Sequence, residues 1–489
     1  MTSAYSVQQI RRLEEVAMAD GGDDVLMQRA AHGLALLAAA ELRSRRARVY
    51  GSRVLIMVGP GNNGGDALYA GQRLARRGAD VLAVRCLGAA HPGGLAALLQ
   101  AGGRVLNLAD LVTSGRLDQS WDLALDGILG IGGRPGLPDD VQRLVGGLAE
   151  GHVPVVAVDL PSGVSADTGA VPGAAIRASR TVTFGKLKPC HLLEPARSHC
   201  GRIDLVDIGL DASDARADLE AIDLNELARW WPRPEASSDK YSRGVLGIDT
   251  GSEQYPGAAV MSTLGAAHAG AGMIRFLGAH SAAELIKAKL PNVVFGQGRV
   301  QALLFGSGWG DRDDGRDVLA EAAERGLPAV VDADGLRYLP ERAPSTWLLT
   351  PHAGELARLL GEDRRWVTDD PVRAVRAGVD RTGATVLLKG ATQLVAGPDS
   401  AAVRVALPGP AWTAQAGSGD VLAGVCGTLL AAGVPADRAG QMGASIQALA
   451  ASRHLGPLPP QELAEQLPAT IGSLAQGMGG WGSTGWQEA

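Results

Sequence analysis

Residues 417–420, Gly417-Ser418-Gly419-Asp420, lack apolar periodicity, and the run that follows them, VLAGVCGTLLAAG, reads as a buried helix of small residues. Glycines at the mouth of a helix let backbone N–H groups turn toward one point, and the partial positive charge of the helix N-terminus adds to them. An anion such as a phosphate docks there, with Asp420 beside it in the first turn. Alone, that carboxylate does no more than complement the helix dipole. Upstream, the other polar residues also sit where strands end: Gly306-Ser307-Gly308, Asp332 and Asp334, His352 and Glu355, and Lys389 ahead of Thr392. Singly these read as turn, cap or solvated residues. Together with residues 417–420 they make a glycine loop, a lysine for negative charge and a carboxylate, the parts of a phosphate-handling site.

A second constellation lies in the first half. The apolar run RVLIMV leads into Gly61-Asn62-Asn63-Gly64-Gly65-Asp66. Strands ending at Asp126 and Asp159 lead into a glycine loop at residues 130–136 and into Pro161-Ser162-Gly163. The first of these lacks the Lys-Ser/Thr of a P-loop and the spacing of a dinucleotide fingerprint. Parallel strands present their carboxyl ends to one crevice, so Asn63, Asp66, Asp126, Asp159 and Ser162 are expected to converge. Their oxygens, with no thiolate or imidazole, suit a hard cation.

The elements that must hold these residues read as two α/β series. Residues 6–43 carry helical periodicity broken by Asp20-Gly21-Gly22-Asp23-Asp24, giving two leading helices. Alternating strand and helix runs follow to about residue 212 and resume after about 240. Residues 211–240, charged and then punctuated by Pro and Ser, read as a junction that includes a short helix near its middle. The runs at 392–397 and 403–409 read as a hairpin at a sheet edge. With 46% hydrophobic but only 4% aromatic residues, the chain of 489 residues suits closely packed helices on parallel sheets. Its net charge of −6 and lack of a basic run argue against nucleic acid and anionic membranes. No apolar stretch reads as a membrane span or a secretory signal. Four scattered cysteines make no disulfide framework, and Cys190, His191, His199 and Cys200 match no zinc spacing, so a reducing cytoplasm is expected.

At this point the residues resemble known families. GPGNNGGDAL, DGILGIG and AVDLPSGVSADTG resemble the signature stretches of NAD(P)H-hydrate epimerases, with Thr183-Phe184-Gly185-Lys186 and Val206-Asp207-Ile208-Gly209 closing the domain, although Ala67 stands where glycine is frequent. From about residue 240 to 465, YPGAAVMSTLGAAHAGAGMIRF, LLFGSGWG, LTPHAGELARLLG, VLLKGATQLVA and AGSGDVLAG resemble the ribokinase-like NAD(P)H-hydrate dehydratases. Ser307 and Ser418 replace a frequent Pro and Thr there, but the glycines are kept.

The resemblance implies two domains: a Rossmann-like three-layer α/β/α epimerase domain over residues 1–215 and a ribokinase-like α/β dehydratase domain over 222–475. Residues 476–489 match nothing and are expected to form a disordered tail. For the first domain it implies K⁺ held by Asn63, Asp126 and Ser162, and Asp159 as the proton-transfer residue. Hydrated cofactor would be bound by Asn62, Asn63, Gly64, Gly65, Asp66, Gly130, Ile131, Gly132, Gly133, Arg134, Pro135, Gly136 and Asp159. For the second it implies substrate contacts from Ala258, Gly308, His352 and Asp420, with Asp420 catalytic. Lys389, Gly390, Ala391, Thr392 and Gly419 would touch the nucleotide, with Mg²⁺ present and ADP as co-substrate. The sequence itself leaves ADP and ATP open. Hydrated NADH and NADPH are the implied small-molecule partners, no nucleic acid or membrane is expected, and a homo-oligomer is. The competing reading is a ribokinase-like kinase for a small alcohol fused to a non-catalytic binding domain.

Overall fold

A computed structural model of the chain describes residues 1–113 and 120–475; the tail expected at 476–489 lies outside the described residues. Two compact units divide the chain, one beginning at Ser3 and ending at Asp218, the other beginning at Leu219 and including Met1 and Thr2.

In the first unit a seven-stranded sheet runs, in spatial order, Arg104–Asn107, Asp80–Arg85, Arg53–Val58, Leu123–Gly127, Val155–Val158, Arg180–Phe184 and Arg202–Val206. Every described pairing is parallel. Strands buried on both faces need continuous apolar runs, and the second to sixth residues of Arg53–Val58 are all buried. The two expected leading helices form as Val7–Gly21 and Asp23–Arg46. Chain order departs to opposite sides of Arg53–Val58, which makes the carboxyl end of that strand and of Leu123–Gly127 a switch point, where crevices form. One local expectation is corrected. Asn62-Asn63-Gly64-Gly65, read as loop, is the first turn of helix Asn62–Ala75, opened by Gly61 with φ 88°. Glycines weaken a helix, but burial of Gly64, Gly65, Ala67 and Leu68 against the sheet outweighs their propensity.

The sheet of the second unit contains, in spatial order, Leu219–Ala221, Val403–Val405, Leu394–Ala396, Thr385–Leu388, Leu348–Leu349, Ala329–Val331, Ala302–Phe305, Val245–Asp249, Met273–Phe276 and Val294–Phe295. Leu394–Ala396 pairs antiparallel with both of its neighbours, and the other described pairings are parallel. The hairpin is therefore present but not terminal, because Leu219–Ala221 lies parallel to Val403–Val405 outside it. That strand comes from the stretch read as a junction. Three residues carrying a glutamate give too little pattern to be seen as a strand; Leu219 and Ala221 are nonetheless fully buried. The helix expected in the same stretch is Leu224–Trp230, started by an Asp223–Glu226 capping box.

Helix Ser418–Ala431, buried from Val421 onward, fixes where Asp420 stands. It lies against helix Pro256–His268 so closely that a Cβ at Gly424 would come within 2.1 Å of the Ser262 carbonyl, and one at Gly265 within 2.3 Å of that of Val421. Gly417, with φ 94°, turns the chain into this helix.

Candidate functional sites

In the first unit the end of strand Leu123–Gly127 and the segment that follows Val155–Val158 meet at Asp126 and Ser162. Asp126 is completely buried. Its Oδ2 accepts from the Ser162 N–H at 2.8 Å, and its Oδ1 accepts from the Ser162 hydroxyl at 2.6 Å and the Ile128 N–H at 3.3 Å. The Ser162 hydroxyl oxygen accepts from the Leu129 N–H at 2.9 Å, tying loop 130–136 to the segment after Val155–Val158. Burial pushes the Asp126 carboxyl up to about 6 against the pull of the Ser162 and Ile128 hydrogen bonds. No ion pair to it occurs among the described residues. Asn63 stands across the loop, since a Cβ at Gly130 would lie 3.2 Å from its Oδ1. Its buried Nδ2 has no hydrogen-bond partner among the described residues.

Of the remaining predicted residues, Gly64 and Gly65 are buried in the first turn of helix Asn62–Ala75 and Asp66 is buried just after it, while Asn62 is exposed. Gly136 donates to the Gly163 carbonyl at 2.8 Å, and Gly133 to that of Gly130 at 2.9 Å. Ile131 is half-buried against Leu160 and Val164, Gly132 is exposed beside Arg11, and Arg134 and Pro135 face outward.

Asp159 follows strand Val155–Val158 with φ 68°, a left-handed conformation that side chains other than glycine seldom adopt. Its Oδ1 accepts from the Thr183 hydroxyl at 3.0 Å, the Phe184 N–H at 3.4 Å and the ammonium of Lys188. Lys188 is itself buried and also donates to the Thr183 hydroxyl and the Phe184 carbonyl. The Asp159 main-chain carbonyl accepts from His191 Nε2 at 3.0 Å. Sequence alone marks none of Lys188, Thr183 and His191 as a site residue. The available signal was a lysine two residues after the Thr183–Lys186 stretch; its distance in sequence from Asp159 concealed the pairing.

In the second unit Asp332, not Asp420, is the hub. It is 1% exposed, and its carboxylate accepts from the Ser307 hydroxyl at 2.9 Å, the Thr350 hydroxyl at 2.7 Å and Lys389 Nζ at 2.6 Å. Lys389 is thus an ion-pair partner rather than a solvated strand end. Burial pulls its pKa down, but Asp332, Glu355 and Asp420 outweigh that and hold it raised. Asp420, in the first turn of its helix, is pushed up to about 7, by burial first and then by the charge of Asp332, while Lys389 and a hydrogen bond from Ser307 oppose the rise. A carboxyl group that changes charge near neutrality is suited to accept a proton at neutral pH.

Gly419 adjoins the same lysine, for a Cβ there would lie 3.2 Å from Lys389 Nζ. Gly390 and Ala391 follow Lys389 at the exposed surface, and Thr392 is half-buried. Ala258 and Gly308 form a separate pair near the switch point of this sheet, where Gly308 has φ 66° and its Cβ would meet that of Ala258. His352 caps helix Ala353–Leu360, its Nδ1 accepting from the Gly354 and Glu355 N–H groups at 3.0 and 3.2 Å. It pairs by a parallel bridge with Lys389, which brings it to the rim of the same site. The four cysteines are unpaired, and no helix among the described residues is long and apolar enough to cross a membrane.

Comparison with known proteins adds independent findings. A family profile described as NAD(P)H-hydrate dehydratase matches residues 246–468, and one described as YjeF-related protein N-terminus matches residues 23–190. The bifunctional NAD(P)H-hydrate repair enzyme of Mycobacterium tuberculosis is 42% identical over 453 residues, covering 90% of this chain and 91% of that protein. That of Mycobacterium leprae is 42% identical over 466 residues, covering 92% and 94%. Among solved structures, the ADP/ATP-dependent NAD(P)H-hydrate dehydratase of Bacillus subtilis is 22% identical with a TM-score of 0.47, covering 52% of this chain and 97% of that one.

Proposed function

The chain belongs to the bifunctional NAD(P)H-hydrate repair enzymes, and from that premise we propose that the first unit epimerises the R and S forms of hydrated NAD(P)H. The second unit dehydrates the S form at the expense of ADP, yielding NAD(P)H, AMP and phosphate. The observation that carries this reading is a carboxylate with a lysine nearby at the carboxyl end of each of two separate sheets. One is Asp159 beside Lys188, the other Asp420 beside Lys389.

Hydrated NAD(P)H bears a hydroxyl on the ring carbon next to the ring nitrogen. Hydroxide leaves poorly, since water has a pKa of about 15.7. In the second unit Asp420 takes the hydroxyl proton as the oxygen attacks the terminal phosphorus of ADP and AMP departs. The N–H groups opening helix Ser418–Ala431 and the Lys389 ammonium bind the phosphoryl oxygens. The ring nitrogen lone pair then expels phosphate, and loss of a proton from the adjacent ring carbon restores the double bond. Asp332 orients Lys389. A Mg²⁺ ion would neutralise phosphate charge at this site, held chiefly by phosphate oxygens and water, since Asp332 is engaged by Ser307, Thr350 and Lys389 and Asp420 is the base.

In the first unit the hydroxyl leaves and water returns to either face of the same carbon. Asp159 transfers the proton, and Lys188 and Thr183 hold its carboxylate in place. Asn63, Asp126 and Ser162 offer an amide, a buried carboxylate without a lysine or arginine partner among the described residues, and a hydroxyl. That set fits a monovalent cation, and K⁺ bound there would supply the positive charge Asp126 lacks. The loop at 130–136 and the first turn of helix Asn62–Ala75 line the pocket for the hydrated cofactor. Self-association into a homo-oligomer, measurable by light scattering, and a cytoplasmic location belong to the same proposal.

Hydrated NADH supplied with ADP and Mg²⁺ should give AMP, inorganic phosphate and NADH in equal amounts. A small-alcohol kinase would instead release a stable phosphate ester and no NADH, which would replace this reading.

A further inference from the structure

The turn that carries Lys188 also carries a histidine for which the proposed reaction has no chemical task. His191 is fully buried. Its Nδ1 accepts from the Lys188 backbone N–H at 3.0 Å, so in the neutral ring the proton resides on Nε2. That Nε2–H donates to the main-chain carbonyl of Asp159 at 3.0 Å. Burial, helped by the Lys188 charge, holds the His191 pKa down to about 3, which keeps the ring neutral. Asp159 is thus gripped at two points. The Lys188 ammonium takes its carboxylate, while His191, three residues further on, takes its carbonyl, and the residue between these grips has φ 68°. A left-handed aspartate persists only where its surroundings over-determine it.

We propose that His191 is a positioning residue for epimerisation: its Nε2–H bond to the Asp159 carbonyl holds Asp159 in the left-handed conformation that aims its carboxylate at the substrate. The inference rests on the reading of the first unit as the epimerase. A loss of this bond lets the peptide after Asp159 rotate and displaces the carboxylate relative to the ring, while substrate contacts from the other loops stay in place. The consequence is a fall in epimerase kcat with little change in KM.

The test uses the intact chain, with dehydration of the S form as the internal control. His191→Leu removes the donor, whereas His191→Gln keeps an amide N–H able to reach the Asp159 carbonyl. For His191→Leu the expected result is an epimerase kcat lower by about tenfold to a hundredfold, KM within about twofold of the parent and dehydration unchanged. His191→Gln should recover most of kcat. If His191→Leu does not fold, His191→Gln carries the test through its kcat. A His191→Leu protein at parental kcat overturns the proposal, and so does a folded His191→Gln protein as slow as a residue without a donor would make it. A parent chain unable to epimerise overturns the functional reading as well, which separates the two failures.

Discussion

Asp159 and Asp420 are both carboxylates at the carboxyl end of a mainly parallel sheet, each with a lysine nearby, yet they are held in opposite ways. Asp159 has its lysine to itself and stands on a strained backbone that neighbouring side chains secure. Asp420 stands in an ordinary helical turn and shares Lys389 with Asp332, whose carboxylate is the one bonded to it. Geometry is specified in the first case and proton affinity in the second. The difference accords with the proposed tasks. Dehydration begins by removing a proton from an alcohol, for which a base titrating near neutrality is suited. Epimerisation must both deliver and withdraw water at one carbon, for which placement matters most.

The contrast predicts unequal responses to mutation. The largest is expected for Asp420→Asn, which keeps the size of the side chain but removes the base. Dehydration should fall by ~10² to 10⁴ while ADP binding, followed by calorimetry, and epimerisation persist. Parental turnover in that variant removes Asp420 from the mechanism.

Lys188→Met should differ in kind, because it leaves the Asp159 carboxylate mostly buried without its cation. A cost of about 3–5 kcal/mol to the first unit is expected, read by chemical denaturation, along with lost epimerisation. The second-unit counterpart, Lys389→Met, leaves the 1%-exposed Asp332 carboxylate with two hydroxyl donors, so a comparable cost to the second unit is expected along with slowed dehydration. Parental stability in either variant would show that the carboxylate concerned does not depend on its lysine.

A third effect is on pH dependence. With its pKa raised to about 7, Asp420 is protonated below neutrality, so dehydratase kcat/KM should climb with pH and level off above about 7. Asp332→Asn removes the charge that raises that pKa and frees Lys389, so the midpoint should move to lower pH; an upward move would contradict the assignment.

A smaller response belongs to Asp126. Its folded pKa, about 6, lies above the ordinary carboxylate value, so its contribution to stability is fully present below about pH 4 and is lost as pH rises through 6. A cation that binds the ionised form offsets that loss. K⁺ should therefore raise Tm more at pH 7 than at pH 5, and Asp126→Ala should abolish the difference and weaken the potassium dependence of epimerisation.

Much of this was legible in the sequence because the evidence was local. Strand Val155–Val158 and all but the first residue of Arg53–Val58 are unbroken apolar runs, and Asp126, Asp159 and Asp420 sit beside the glycine turns that parallel sheets place at their carboxyl ends. What escaped was non-local or locally contradictory. Lys188 reaches Asp159 across 29 positions, and Lys389 reaches Asp332 across 57, separations that no periodicity encodes. Leu219–Ala221 becomes a strand through pairing with Val403–Val405, a partner far along the chain. The two asparagines and two glycines at residues 62–65 form a helical turn against their own propensity, held by burial.

On the reading proposed above, two carboxylates in two units catalyse successive steps on one substrate. It is tested most directly by giving an equal mixture of R and S hydrated NADH, with ADP, Mg²⁺ and K⁺, to the parent chain and to its Asp159→Asn variant, and following NADH absorbance to completion. The parent should recover all of the NADH, and Asp159→Asn should stop at about half, with the S form consumed and the R form left. Complete recovery by Asp159→Asn at the parental rate would contradict the account.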